Sequence, residues 1–485
     1  MKKELLFTLF LVLNNLFLIN AQSLEWNKLE GWGGYDYPGG ISRDSLGNIY
    51  VTGYYEEQYH SIKNRGIFIS KYDATGNRLW SDTSTASFRA KSQAISTDGA
   101  GNSYITGEFK DTIKIGDFLL SSSQSQYNSA FVAKYNSNGI CLWAFTINHA
   151  SGEGIVVDNN GSFYVTGAFA DSTNVCNTTL TVGRGYLIKY DSLGICLWAK
   201  QFGNPDFTFG KEIGIDDNNN IYISGRFWET AQFDNTTITA AGFEDGFIVK
   251  YDSSGNLQWV TRHSIMSDMS VDDNGNIYLT RYDFMEKLNS AGQQIWSKVP
   301  DNSAGGKAIF ADIYGNIYAS GNGNNGNLIL GKYDANGFLQ WTSQIPPYVY
   351  GTNGSSYAYV PSAIITDGFG NVYSTGQLAA YAIFIAKISD NNFTTNIPQL
   401  NIEDRLLIFP NPTANTFNVV YASKEKGRLQ INIRNITGQV IYSESVSQYQ
   451  EEYRKAIDLS KQAKGVYFIE VAGDKNKQVK RIVIN

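Results

Sequence analysis

Seven times along this chain an Asp is followed six residues later by a Tyr, with Gly or Asn halfway between them: Asp44 and Tyr50, Asp98 and Tyr104, Asp158 and Tyr164, Asp216 and Tyr222, Asp272 and Tyr278, Asp312 and Tyr318, Asp367 and Tyr373. Six of the Tyr residues lead into x-Thr/Ser-Gly; in the fifth copy Arg281 stands where the others have Gly. A frame of this length is one supersecondary unit, and a single copy cannot cover its own apolar face, so the copies must stack. A second signature, Lys-Tyr-Asp-x-x-Gly-x-x-x-Trp or a variant, recurs at Lys71–Trp80, Lys134–Trp143, Lys189–Trp198, Lys250–Trp259, Lys287–Trp296 and Lys332–Trp341. Short β-rich runs between Gly/Asn turns make each unit four antiparallel strands. Ile or Met three residues before each Asp marks the buried face of the first strand.

The ends of the array are complementary. The seventh copy stops after Lys387-Ile388 without a Trp strand, and an unmatched Trp strand, Leu24-Glu25-Trp26, precedes the first copy. Pairing the two would remove both open edges. The expected fold is therefore all-β: a seven-bladed β-propeller whose N-terminal strand closes the last blade, followed by a small β-sandwich. Aromatics at 14 %, 31 Tyr and 47 Gly with only 17 % charged residues suit strands joined by tight turns.

The domain boundaries expected are a signal peptide over 1–21, the propeller over 22–395, a linker over 396–405 within the polar stretch Asn391–Asp404, and the C-terminal domain over 406–485. Lys2 and Lys3 ahead of an apolar run, Leu5 to Ile19, have the pattern of a secretory signal, with cleavage between Ala21 and Gln22. No other run could cross a bilayer as a helix, so the mature chain is expected to have no transmembrane span. From Gln22 to Gln399 there are 24 Lys+Arg against 35 Asp+Glu, a net of −11, which argues against nucleic acid or an anionic membrane as partner. From Leu400 to Asn485 the count is 13 against 9, a net of +4. Cys141, Cys176 and Cys196 are expected to be small buried hydrophobes; Cys141 and Cys196 hold equivalent positions in successive copies, too far apart for a disulfide.

The repeated Asp is explained by turn chemistry, its carboxylate accepting backbone N–H groups. Doubled acids at Asp216-Asp217 and Asp272-Asp273 leave Ca²⁺ as an alternative, although the full Asp-x-Asp-x-Asn-Gly loop is absent; no cofactor is expected. The Trp set is expected to pack between blades.

Together the two signatures resemble the SBBP-type β-propeller repeats of exported bacterial proteins, over roughly Gln22 to Ser389. The C-terminal run Ile408-Phe409-Pro410-Asn411-Pro412-Thr413, then Ile436-Thr437-Gly438-Gln439-Val440, Lys464-Gly465-Val466-Tyr467 and the closing Lys480-Arg481-Ile482-Val483 resembles the type A sorting domain of the type IX secretion system. That resemblance implies export through the periplasm and outer membrane of a Bacteroidetes-type bacterium, with the secretion machinery as partner and the cargo released or held at the cell surface. Asp44-Ser45-Leu46 and Asp191-Ser192-Leu193 resemble the O-glycosylation triplet of such organisms.

Connections from second to third and from fourth to first strand share one face, and their lengths vary. The gap is 6 residues from Arg281 to Lys287 but 27 from Gly107 to Lys134, and 26 residues separate Trp341 from Asp367. Variable loops on a rigid scaffold mark the binding face. Tyr54, Tyr55, Tyr59 and His60 in one loop, and Tyr348, Tyr350, Tyr357 and Tyr359 in another, would flank the closure and suit sugar rings or a protein surface, with Trp228 a possible addition. The alternative is that these rings pack their own loops. Three functions remain open: a binding module for an extracellular glycan or protein, a polysaccharide hydrolase or lyase, or a structural adhesin spacer. Three His, none at metal-ligand spacing, and no Gly-x-Ser-x-Gly argue against an enzyme.

Overall fold

A computed structural model describes residues 22–390 and 405–484, apart from 32–34, 57–64, 124–125, 181–184, 205–206, 282–283, 301–305, 324, 351–354, 368–369, 379–381, 410–415, 423–426, 437, 450–451 and 474–476. Ala21, Tyr59, His60, Pro410, Asn411 and Pro412, and the linker, lie outside the described residues.

Between Gln22 and Asp390 the described residues form seven four-stranded antiparallel sheets in chain order. The first runs Tyr35–Arg43, Ile49–Glu56, Arg65–Tyr72 and Arg78–Thr83, each strand paired with the next. The leading strands of the other six are Arg89–Thr97, Ala150–Val157, Thr208–Ile215, Asp268–Val271, Ala308–Ala311 and Tyr359–Thr366. Every leading strand lies against that of the next sheet, and Tyr359–Thr366 lies against Tyr35–Arg43. The seventh sheet takes its outer strand from the N-terminus: Gln22–Glu30 pairs antiparallel with Ala382–Asp390, Leu24 opposite Ile388 and Glu30 opposite Ile383.

The two repeat signatures form a latch within and between sheets. Asp44 Oδ1 accepts the N–H groups of Leu46 and Asn48, and Oδ2 accepts from Asn48 Nδ2 (2.7 Å) and the Tyr50 hydroxyl (3.0 Å). Lys71 lies 3.4 Å from the same carboxylate and 4.9 Å over the Tyr50 ring. Both Lys71 Nζ and Trp80 Nε1 then donate to the Ser137 carbonyl, in the turn of the second sheet, at 3.2 and 3.0 Å. Lys250 and Trp259 do the same to Ser290, and Lys287 and Trp296 to Ala335. Trp26, from the N-terminal strand, donates to Ala74 of the first sheet at 3.3 Å, so the latch continues across the closure. The turn glycines are what let the indoles in: a Cβ on Gly76 would stand 2.8 Å from Trp26, and one on Gly139 2.7 Å from Trp80.

Leading strands of sheets one to four and seven carry a β-bulge, between Pro38 and Gly40, Ser92 and Ala94, Gly152 and Gly154, Gly210 and Glu212, and Pro361 and Ala363. The bulge drives a carbonyl of the leading strand onto the Thr/Ser-Gly position of the second strand. A Cβ there would sit 2.1 Å from the Tyr37 oxygen at Gly53, 1.9 Å from Lys91 at Gly107 and 2.1 Å from Phe209 at Gly225. Only glycine tolerates that approach. The fifth sheet pairs without a register shift, and there the position is Arg281.

Sheets two, three and four each add a hairpin between their second and third strands: Thr112–Ile115 with Phe118–Ser121, Thr173–Val175 with Thr178–Leu180, and the extended ends of Ile221–Phe233 and Thr236–Tyr251. Ile113, Ile115, Leu180 and Phe233 bury their inner faces. This insertion corrects the expectation for two cysteines. Cys176 sits at the hairpin tip, and its sulfur is bonded to Cys196 in the outer strand of the same sheet. Comparing only equivalent repeat positions missed it, because the partner comes from an insertion. In the second sheet the tip residue is Gly116, whose Cβ would lie 2.6 Å from that of Cys141. Cys141 therefore has no partner cysteine and stays a packed thiol, its pKa pushed up to about 12 by burial and by Asp82.

The C-terminal region forms two sheets, Arg405–Phe409, Thr416–Ala422 and Glu452–Asp458 in one, and Val440–Tyr449, Gly427–Asn435, Gly465–Ala472 and Lys477–Ile484 in the other. Phe417, Val419 and Ile457 from the first share a core with Ile431, Ile469 and Ile482 from the second. Gly438 closes an Asn435 turn at φ 85°, with Asn435 Oδ1 accepting the Gln439 N–H. Tyr467 is buried and donates to the Ala463 carbonyl, Gly465 opens its strand, and Lys480 is exposed.

Candidate functional site

The bulged leading strands surround a central cavity of about 440 Å³. All seven leading strands contribute, most of them with residues on either side of the repeated Ile or Met. Towards the turn face the lining is apolar, with Ile215, Val271 and Ile365. Towards the variable-loop face it is polar: Gln93, Glu153, Lys211, Glu212, Asp268 and Ser362. Lys211 Nζ donates to the Ser267 carbonyl (2.7 Å) and pairs with Glu212 (2.8 Å). Asp268 accepts the N–H groups of Met269 and Ile309, each at 2.8 Å, and so ties sheet five to sheet six.

Crowding of charge around a small enclosed volume perturbs these groups. Burial, with Glu212 adding to it, lifts Asp268 to about 7. Glu153 is likewise raised by burial, and by Glu108 and Glu212. Burial lowers Lys211, but the Glu212 and Asp268 carboxylates outweigh it and hold the ammonium above its ordinary value.

Two further cavities open on the same face. One, of about 460 Å³, is lined by Glu108, Tyr127, His149, Phe169, Phe207 and Phe209, and shares Glu153 with the central cavity. Glu108 is held by Arg89 (3.2 Å), Lys91 (3.5 Å) and Asn128 (2.6 Å). His149 Nδ1 lies 3.0 Å from the Ser172 carbonyl, which can only accept, so that nitrogen carries the proton and Nε2 accepts from Ser123. Beside this cavity Trp228 stacks on Phe207 (4.6 Å, 23°) and meets Phe243 at 4.7 Å, a residue 65 % exposed. The other, of about 450 Å³, is lined by Lys211, Arg226, Ile265, Met266, Ser267, Arg281 and Lys307.

Of the expected tyrosines, Tyr54, Tyr55 and Tyr359 pack within the fold. Tyr54 stacks on Tyr37 at 4.7 Å in the core between sheets one and two, and burial pushes it up to about 12. Tyr55 is buried and donates to the Ser84 carbonyl at 2.9 Å. Tyr359 is buried edge-on to Phe384, its hydroxyl accepting from Asn27 of the N-terminal strand. Tyr348–Tyr350 and Ser355–Tyr357 form a hairpin with Tyr348 opposite Tyr357. Trp228 lies three sheets from the closure, in the aromatic cluster just described.

The sequence carries a signal for the central residues. The residue before the buried Ile or Met is Gly40, Ala94, Gly154, Ala308 and Ala363 in five copies, but Glu212 and Asp268 in the other two. Two carboxylates at a position otherwise reserved for small residues mark a site.

Among the described residues no cluster of three or more His, Cys, Asp or Glu is placed to hold a metal ion, and no helix is long and apolar enough to cross a membrane.

These features define an all-β repeat protein of the propeller class with a small β domain behind it. Residues 29–54 and 197–226 match the SBBP β-propeller repeat, and residues 407–485 match the secretion system C-terminal sorting domain. The chain thus carries SBBP propeller repeats and ends in a type IX sorting domain, which indicates export to the cell surface or medium. It is similar to an uncharacterized WD repeat-containing protein of Acanthamoeba polyphaga mimivirus, 25 % identical over 245 residues, or 39 % of this chain. The match spans 18 % of that relative's length. Similar solved structures include the Pan2 WD40 domain of Neurospora crassa (TM-score 0.45, 7 % identity, 74 % of this chain and 95 % of that one). Another is a virginiamycin B lyase from Staphylococcus aureus (TM-score 0.41, 13 % identity, 75 % and 99 %).

Proposed function

We propose that the protein is an exported seven-bladed propeller with a C-terminal sandwich, and that it binds an extracellular glycan across the variable-loop face. Support for seven blades comes from the unbroken circuit of contacts among the leading strands and from the shared seventh sheet. One observation carries the ligand reading: three cavities of about 440 to 460 Å³ adjoin one another, sharing Glu153 on one side and Lys211 and Ser267 on the other. A depression that combines carboxylates with the rings of Phe207 and Phe209, Phe207 being backed by Trp228, suits sugar rings, whose C–H faces stack while their hydroxyls find polar partners.

Affinity electrophoresis of the secreted protein against a broad polysaccharide panel tests this. At least one member should retard it. The Trp228→Ala variant should bind about tenfold more weakly, as expected from about 1.4 kcal/mol of lost stacking, with its melting temperature changed little. No retardation by any polysaccharide, or unaltered binding by the variant, would reject the reading.

A further inference from the structure

We propose that the cavity between blades four, five and six takes an acidic group, a carboxylate or sulfate, carried by the polysaccharide that the face binds; this rests on the glycan reading above. Among the described residues every charged side chain lining that cavity is a cation: Lys211, Arg226, Arg281 and Lys307. They gather in a propeller region that is otherwise acidic, with 24 Lys+Arg against 35 Asp+Glu between Gln22 and Gln399. Lys211 pairs with Glu212 and Arg226 with Glu244 at the cavity's edge, so an incoming anion would share these cations with the carboxylates beside them.

The cations are also presented, not merely present. Arg226 stacks over Phe209 at 6.0 Å with Glu244 at 3.7 Å, and Arg281 lies 4.8 Å over Phe284. Aromatic support of this kind holds a guanidinium in a fixed plane, the geometry that grips carboxylate or sulfate oxygens in pairs. Lys211 is set by the Ser267 carbonyl, whose residue lines the same wall.

The sequence bends its own repeat to make this cavity. Arg281 occupies the Gly position of the motif, allowed there because the fifth leading strand has no bulge. The connection that follows it is the shortest of its kind. Lys211 and Lys307 hold equivalent places two residues before the repeated Ile, Ile213 and Ile309. Lys211 and Ser267 are shared with the central cavity, so an acidic substituent held here would leave its sugar ring beside Glu212 and Asp268.

Isothermal titration of the full secreted chain with polygalacturonate, dextran sulfate and neutral dextran, in low and high salt, is the test. At least one acidic polymer should bind tenfold or more tighter than dextran, and the advantage should shrink as salt screens it. The double variant Arg281→Glu/Lys307→Glu should lose that advantage while any binding of neutral members of the wider panel stays within twofold. Should charge reversal lower the melting temperature, Arg281→Gln/Lys307→Gln removes both charges at similar volume and is expected to weaken acidic binding by at least fivefold. Preference for polygalacturonate over dextran sulfate, or the reverse, names the anion. If neutral glycans bind and acidic ones bind no better, this inference fails and the glycan reading survives. If nothing on the panel binds, both fall. Acidic binding unchanged in the glutamine pair also overturns it.

Discussion

Glycine in the second strand of six of the seven repeats shows how one atom can govern a whole unit. At Gly225 a Cβ would stand 2.1 Å from the Phe209 carbonyl oxygen and 2.5 Å from the Phe247 ring. Neither neighbour can move freely, since one is bulged backbone and the other is core. Gly225→Ala should therefore lower unfolding free energy by roughly 2–4 kcal/mol, measured by denaturant titration. Arg281→Gly, at the same repeat position over an unbulged strand, should cost about 1 kcal/mol or less. Equal losses in the two would mean that the bulge is not the cause. The motif itself was plain in the sequence, but its reason was not, because a carbonyl pressing from another strand leaves no local trace. Cys176 was hidden in the same way: its partner became visible only once the hairpin Thr173–Leu180 was seen to fold back over Cys196.

The leading strands are the elements where fold and candidate site meet. Their buried Ile and Met residues were legible as a period-two face, and with them the direction of the sheet. Which residues a bulge would turn into the central cavity was not, since a bulge is a change of register set by the partner strand. Asp268 carries a testable consequence of that placement. Its carboxyl is lifted to about 7 in the folded protein, above its ordinary 3.8, by burial and by Glu212. Between those values the native state holds a proton that the unfolded chain has released. Its contribution to stability is thus complete below about pH 4 and is lost as pH rises through about 7. At about 1.4 kcal/mol per pH unit between those values, less what local relaxation recovers, the loss should be on the order of 2–4 kcal/mol. Thermal unfolding from pH 4 to 8 should show the wild type declining relative to Asp268→Asn, which retains a neutral side chain throughout. Parallel profiles would remove the assignment of that proton to Asp268.

At the scale of the molecule, the acidic repeat region and the basic C-terminal domain divide the work between them. One is a rigid frame whose surface is free to vary, and the other is an address for the secretion machinery. Repeats, export tail and the spare N-terminal strand were all legible, because each is written as a pattern in a contiguous stretch. The candidate site was not, because its cavities draw scattered residues from all seven sheets. The frame's integrity depends on how the circuit closes. Trp26 lies 48 residues from its acceptor Ala74, whereas Trp80 and Ser137 are separated by 57, yet both indoles make the same contact with the turn of the following sheet. If Gln22–Glu30 is a true fourth strand of the last blade, Trp26→Ala and Trp80→Ala should destabilise alike, by roughly 3 kcal/mol each, although one lies at the chain's edge and the other well inside it. Calorimetry on the secreted chain distinguishes the outcomes. A terminal strand that merely rests on the sheet would make Trp26→Ala nearly silent and Trp80→Ala costly, and the circuit would then be open between the first sheet and the seventh.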